Sequence, residues 1–262
     1  MYDFELVKPT TVEDAVAALA GDEAQPLGGG QTLIPTMKQR LAMPGTLVST
    51  LGIESMKGVS AEGGVLTIGG ATTHGTVAAE AASSYPGLAA LAGGIGDPAV
   101  RNRGTIGGSL ANNDPAACYP AGLLGSGGTV VTNTREIDAD DFFQGMFTTA
   151  LEEGELITAV KFNIPEKAAY AKFAQPASRF PLTAAFVAKT SDGVRVAITG
   201  ASEEGVFRWT EAEEALSSNF SADAVDGLSV DADGMIGDIH GTPAYRAHLV
   251  KVMTKRAVTA AG

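Results

Sequence analysis

One cysteine, three histidines and few basic residues set the first limits on this 262-residue chain. A single cysteine, Cys118, cannot close an intrachain disulfide, so the sequence fits a reducing compartment. It also cannot hold an iron–sulfur cluster, which needs about four ligands. His74, His240 and His248 have no spacing to one another or to Cys118 that resembles a zinc site. Eighteen Lys and Arg stand against 30 Asp and Glu, a net charge of −12. That excess excludes nucleic acid as the expected partner, because binding it requires a basic face to displace counterions. No apolar run reaches the roughly 18 residues of a membrane span, and the N-terminus has no basic region followed by an apolar stretch. A cytosolic protein is predicted.

What the chain has in excess is glycine: 33 residues, against a usual share of about 7%. Many are clustered, most clearly in Gly28-Gly29-Gly30-Gln31-Thr32-Leu33 and Gly104-Thr105-Ile106-Gly107-Gly108-Ser109. Consecutive glycines let the backbone approach a ligand and turn several N–H groups inward, a concavity that holds pyrophosphate without a charged side chain. Two such stretches point to one phosphate-bearing cofactor held between two lobes. A plain turn also fits the first stretch. In the second, Asp97, Arg101, Asn102, Arg103, Thr105, Ser109, Asn112, Asn113 and Asp114 crowd together. Thr105 and Ser109 can donate to phosphate and Asp114 can accept from a sugar-like hydroxyl. The bland alternative is a self-contained loop with Asp97 and Asp114 paired to Arg101 and Arg103. Gly94 to Ala99 matches G-x-G-x-x-[GA], but it follows a small-residue helix instead of a strand, so it is not a dinucleotide fingerprint. No Walker-type G-x-x-x-x-G-K-[ST] occurs.

Periodicity gives the coarse elements. A strand at residues 4–7 precedes a helix that Thr11 caps, with Val12, Ala15, Val16 and Leu19 on one face. The 24–27 stretch leads into the first glycine loop. A short helix is predicted from Leu33 and a strand over 46–50. Strands follow at 65–68, 129–131 and 156–162. Thr73 caps a helix through Val77, 88–92 forms a short helix, and 93–120 reads as mostly loop. Beyond Pro165 the character changes. Residues 184–189 and 194–199 form an antiparallel pair around Ser191-Asp192-Gly193, and helices follow at 211–216 and from Pro243, giving a sheet with helices on one side. The stretch 203–240 is strongly acidic and 241–262 basic. A solvated surface with a dipole-complementing helix accounts for this, as would a face for another subunit.

Three strings carry a resemblance: G-G-G-Q-T-L-I-P at 28–35, I-G-G-A-T-T-H at 68–74, and the 23-residue I-G-D-P-A-V-R-N-R-G-T-I-G-G-S-L-A-N-N-D-P-A-A at 95–117. Together with L-E-E-G-E-L-I-T-A-V at 151–160, Y-A-K-F-A-Q-P-A-S-R-F at 170–180 and the stretch 240–256, they resemble the flavin-binding medium subunit of the molybdenum hydroxylases, closest to the aerobic carbon monoxide dehydrogenase type. The resemblance implies an α+β fold: a two-lobed, PCMH-type FAD-binding domain, with lobe 1 over 1–53 and lobe 2 over 54–165, then a small C-terminal α+β domain over 166–262 with an antiparallel sheet and helices. It implies FAD, with the pyrophosphate cradled by Gly28, Gly29, Gly30, Gln31, Thr32 and Leu33 and by Thr105, Ile106, Gly107, Gly108 and Ser109. It places Asp114 near the flavin's sugar-like chain, Ile157 near the ring, Lys172 at the ring edge where its charge favours the reduced flavin, and Thr73 and Asp97 along the cleft. Cys118 departs from the pattern, since many relatives have an acid there.

The resemblance further implies partners: a large molybdopterin-binding subunit and a small 2Fe–2S subunit, as a dimer of heterotrimers. The chain then takes electrons from the 2Fe–2S subunit and passes them to an external acceptor, in the cytoplasm or at the inner face of the membrane through the complex. No side chain here has to act as nucleophile, general base or metal ligand. A medium subunit of an N-heterocycle, purine or aldehyde hydroxylase fits the same residues, as does a stand-alone FAD oxidoreductase. A scaffold that has lost its cofactor does not explain the intact glycine loops. The expected readings for other residues are a hydrogen-bonding loop His74, a small buried Cys118, and core or strand-face Phe207 and Trp209.

Overall fold

Thr11 accepts a hydrogen bond from the Asp14 N–H at 3.1 Å and starts the first helix, as its spacing predicts. The computed structural model describes residues 1–262. Its first unit alternates strand and helix: β1 (Glu5–Val7), α1 (Val12–Leu19), β2 (Ala24–Leu27), α2 (Leu33–Lys38) and β3 (Thr46–Ser49). The strands form a parallel sheet in the order β1-β3-β2. Pro26 is tolerated because β2 is an edge. Ala15 and Leu19 of α1 pack with Val48, Ile53, Met56, Ala71 and Leu156. Ala71 and Leu156, which flank strands of the second sheet, tie this small core to the next unit.

The second unit runs through β4 (Val59–Glu62), β5 (Val65–Gly69), α3 (His74–Glu80), α4 (Pro86–Gly93), α5 (Pro98–Arg101), α6 (Ile106–Asn112), α7 (Tyr119–Gly125), β6 (Thr129–Thr132), β7 (Glu136–Asp138), α8 (Ala139–Phe142) and β8 (Ile157–Asn163). Its five strands are antiparallel, in the order β4-β5-β8-β6-β7. The stretch 93–120, read from sequence as mostly loop, instead contains α5, α6 and the start of α7. Glycine and proline hide these short helices from any propensity count. They are held by caps and burial: Asp97 accepts from Val100 N at 2.9 Å, Thr105 accepts from Gly108 N at 3.2 Å, and Ile106 and Leu110 are fully buried.

The third unit is an antiparallel sheet ordered β12-β11-β10-β9, from β9 (Lys167–Ala174), β10 (Pro181–Thr190), β11 (Gly193–Ser202) and β12 (Gly205–Arg208). The predicted hairpin is present, with Ala184 opposite Thr199 and Thr190 opposite Gly193. α9 (Thr210–Ser218) and α10 (Pro243–Ala261) follow. Both helices cover one face, where Ala185, Val187, Val196 and Ile198 meet Leu216, Val250, Met253 and Ala257. The other face is not open. Phe186, Ala188 and Ala197 join the core of the second unit beside Tyr85, Leu88, Leu91 and Leu124. A Cβ on Gly125 would lie 2.8 Å from Phe186 Cδ1, so glycine there admits the ring. β10 is therefore buried on both faces, which explains its continuous apolar run.

Candidate functional site

The first glycine stretch turns the corner between β2 and α2. The backbone N–H groups of Gly28, Gly29, Gly30, Gln31, Thr32 and Leu33 have no acceptor anywhere in the protein, while the next amide, Ile34 N, bonds Gly30 O at 3.2 Å. Gly30 takes φ +70°, and the Gln31 side chain folds back onto Gly29 O at 3.0 Å. The residues are half-buried or exposed, so the donors are open to a ligand. Six consecutive amides are thus left unspent.

The second stretch lies against the first. A Cβ on Gly29 would sit 1.8 Å from Arg103 O and 2.6 Å from Gly104 Cα, and one on Gly28 would sit 2.6 Å from Thr105 Oγ1. Only side-chain-free backbone allows this approach. The amides of the second stretch are engaged except that of Thr105, which has no acceptor, and Gly104 N bonds Val100 O at 2.7 Å. Ile106 N bonds Thr72 O (3.1 Å), Gly107 N bonds Gly70 O (2.9 Å), Gly108 N bonds the Thr105 hydroxyl (3.2 Å) and Ser109 N bonds Thr105 O (3.0 Å). Thr105 is buried. Thr73 caps α3, bridges to Thr105 and shares a 2.9 Å hydrogen bond with the Thr76 hydroxyl. Gly70 joins this wall to β8, where a Cβ would come 2.2 Å from the carbonyl oxygen of the buried Ile157.

Residues 2–166 match the family described as "FAD binding domain in molybdopterin dehydrogenase". The chain belongs to this family. It is 34% identical to the nicotine 6-hydroxylase medium subunit of Paenarthrobacter nicotinovorans, over 97% of this chain and 95% of that one. It is 32% identical to the carbon monoxide dehydrogenase medium chain of Afipia carboxidovorans, with the same shares covered. Among solved structures it superposes on a reconstituted CO dehydrogenase from Oligotropha carboxidovorans with a TM-score of 0.90, at 30% identity, covering 99% of this chain and 98% of that one. Quinoline 2-oxidoreductase from Pseudomonas putida gives 0.89 at 28% identity, covering 99% and 97%. This chain is thus a medium subunit of the molybdenum hydroxylase type, an oxidoreductase component whose cofactor is FAD. The PCMH-type α+β fold follows from the same likeness. No helix is long and apolar enough to cross a membrane.

The residues fit an FAD pyrophosphate, because the open amides at 28–33 offer donors that nothing in this FAD-binding chain satisfies. The other positions expected to line the site make the following contacts. Asp97 caps α5, whose end delivers Arg103 and Gly104 to Gly29. Asp114, half-buried, accepts from Ala116 N at 2.8 Å. Neither acid pairs with Arg101 or Arg103, so the self-contained ion-paired loop is not formed. Arg101 instead donates to two carbonyls, Ile95 O and Gly96 O, each at 3.1 Å. Lys172, on β9, donates to Gly94 O at 2.6 Å and Arg179 O at 2.9 Å and contacts Cys118 Sγ at 3.9 Å. Its ammonium is committed to the chain itself.

His74 differs from expectation. It is buried, its ring makes no hydrogen bond and its Nδ1 has no partner, while its main-chain N–H bonds Gly104 O at 3.0 Å. Burial, helped by the Arg101 charge, pushes the imidazole down to about 4, so the ring is neutral. It packs on Tyr119 at 5.3 Å, and a Cβ on Gly104 would lie 2.5 Å from Nε2. The ring is a spacer behind the second glycine stretch, which the T-T-H string alone does not reveal. Cys118 is buried as expected, and burial pushes its thiol up despite the neighbouring Lys172 charge. Trp209 is buried and Phe207 is half-buried against the same core.

Proposed function

We propose that the chain binds the FAD pyrophosphate at the β2–α2 corner and serves as the electron-transfer flavoprotein of an assembly of the carbon monoxide dehydrogenase type. The observation that carries this reading is the run of six unspent amides at Gly28–Leu33. Bound FAD supplies a two-electron store that exchanges single electrons with an iron–sulfur partner. The chain's own residues bind and position. The amides of 28–33 neutralise the pyrophosphate. Arg103, Gly104 and Thr105 form the wall against which Gly28 and Gly29 are set, Ile106, Gly107 and Gly108 continue it towards Gly70, and the Thr105 amide and Ser109 hydroxyl are the donors it adds. Asp114 accepts from a hydroxyl of the ribityl chain, Ile157 gives an apolar backing, and Thr73 and Asp97 hold the helix starts that line the cleft. Lys172 acts by its charge, since its donors are taken by Gly94 O, Arg179 O and Cys118.

The units 1–53, 54–165 and 166–262 correspond to lobe 1, lobe 2 and the C-terminal domain. A large molybdopterin-binding subunit oxidises the substrate and a small 2Fe–2S subunit delivers the electrons, in a dimer of heterotrimers located in the cytoplasm. Relatives linked to nicotine and to carbon monoxide both align with this chain over 97% of its length, so the substrate is assigned to the large partner.

The purified chain is expected to be yellow, with a flavin spectrum, and to release FAD on denaturation. A colourless protein that takes up no added FAD overturns the reading.

A further inference from the structure

Two arginines meet on one carbonyl oxygen with no acid between them. Arg101, half-buried at the end of α5, donates through Nη1 to Gly96 O at 3.1 Å. Arg179, exposed on the β9–β10 turn, donates through its own Nη1 to the same oxygen at 3.4 Å. The two Nη1 atoms are therefore closer than the sum of those distances. Lys172 Nζ adds a third cation by bonding Arg179 O and Gly94 O. None of the three takes part in any ion pair of the chain, although acids outnumber bases 30 to 18. Asp97, the acid nearest in sequence, spends an oxygen on Val100 N.

The arrangement is held in place on both sides. Gly96 adopts φ +50° and presents its carbonyl to both guanidinium groups. Arg179 itself adopts φ +63°, a conformation that is unfavourable for a non-glycine residue. The turn that fixes it closes through Arg179 N to Gln175 O at 2.8 Å and Gln175 N to Phe180 O at 2.9 Å. Like charges brought together repel, and an oxyanion relieves that repulsion. With each Nη1 spent on the carbonyl, the Nε and Nη2 donors of both arginines have no acceptor in the protein. Paired guanidinium forks of this kind suit a phosphate bidentately.

We propose that Arg101 and Arg179 form a second anion site, separate from the amides of 28–33, that takes a phosphate monoester or pyrophosphate group. It spans the seam between the 94–101 segment and the β9–β10 turn, so its ligand contacts the second and third units at once. The site rests on the FAD reading, because Lys172 beside it is assigned to the flavin ring edge, but its donors lie outside the 28–33 stretch.

The test titrates FAD-loaded full-length chain with inorganic pyrophosphate, followed by calorimetry, with the flavin content of each sample measured in parallel. Saturable one-to-one binding that weakens about tenfold or more in Arg179→Gln, at unchanged flavin content, supports the site. Arg179→Lys, which keeps the charge and loses the fork, should bind at an intermediate level. The proposal is overturned if the loaded wild-type chain binds no pyrophosphate, or if Arg179→Gln binds it as the wild type does. It is also overturned if Arg179→Gln sheds FAD in step with the lost binding, which assigns these guanidinium groups to the cofactor's own phosphates. Since Arg179 is exposed, its replacement leaves the core untouched. Arg101→Gln provides the matching measurement from the other side of the seam, with thermal unfolding as the control for folding.

Discussion

The two glycine stretches have similar composition and opposite hydrogen bonding. Gly28–Leu33 leaves every amide open, whereas Gly104–Ser109 spends all but that of Thr105, on Val100 O, Thr72 O, Gly70 O and Thr105. The first keeps donors free; the second lets backbone segments touch. Gly107 shows the second use: a Cβ there would lie 2.6 Å from Gly70 O. Glycine density alone does not separate these roles. The partners of the amides do.

The sharpest way to break the contrast is Gly29→Val. Its Cβ would fall 1.8 Å from Arg103 O, so the two stretches must part. The variant is expected to purify with little or no FAD, measured as the flavin-to-protein ratio. Full flavin content would remove the corner from the site. The next effect concerns the spacer behind the second stretch. The His74 imidazole sits at about 4 in the folded chain against 6.5 unfolded. The unfolded state takes up a proton below 6.5 that the folded state refuses until about 4. Stability is therefore full above 6.5 and declines as pH falls towards 4, by about 3 kcal/mol. Denaturant midpoints measured from pH 7 to 4 should show this loss in the wild type and a flatter profile in His74→Gln.

Gly107→Ala should lower stability by about 1–3 kcal/mol through overpacking against Gly70, while the folded fraction keeps its FAD. Equal loss of flavin in Gly107→Ala and Gly29→Val would erase the distinction between the stretches. The smallest change is expected for Thr105→Ala, which removes the cap on Gly108 N and should cost about 1 kcal/mol, read as a shift in unfolding midpoint.

Features that depend on local chemistry were readable from sequence. The caps at Thr11 and Thr73, the 184–199 hairpin and the glycine corner after β2 each rest on residues adjacent in the chain. The long string at 95–117 carried the family. What could not be read depends on distant acceptors. Whether Gly107 N is free is decided by Gly70, and whether the Lys172 ammonium is free is decided by Gly94 and Arg179. α5 and α6 escaped for a related reason: Pro98, Gly107 and Gly108 argue against helix locally, and burial of Ile106 and Leu110 outweighs them. Arg179 was visible only as one residue in a family string, and its meeting with Arg101 appears only once the turn is folded.

Phe186 gives the domain boundary a different meaning. The matched segment stops at residue 166, yet this ring, twenty positions later, fills the space beside Tyr85 and against Gly125. Cutting the chain at that border would strip the cover from α4 and α7 and leave an oily wound on the flavin half. The matched segment is thus shorter than the packed unit, and one face of the last sheet serves as part of the flavin half's interior.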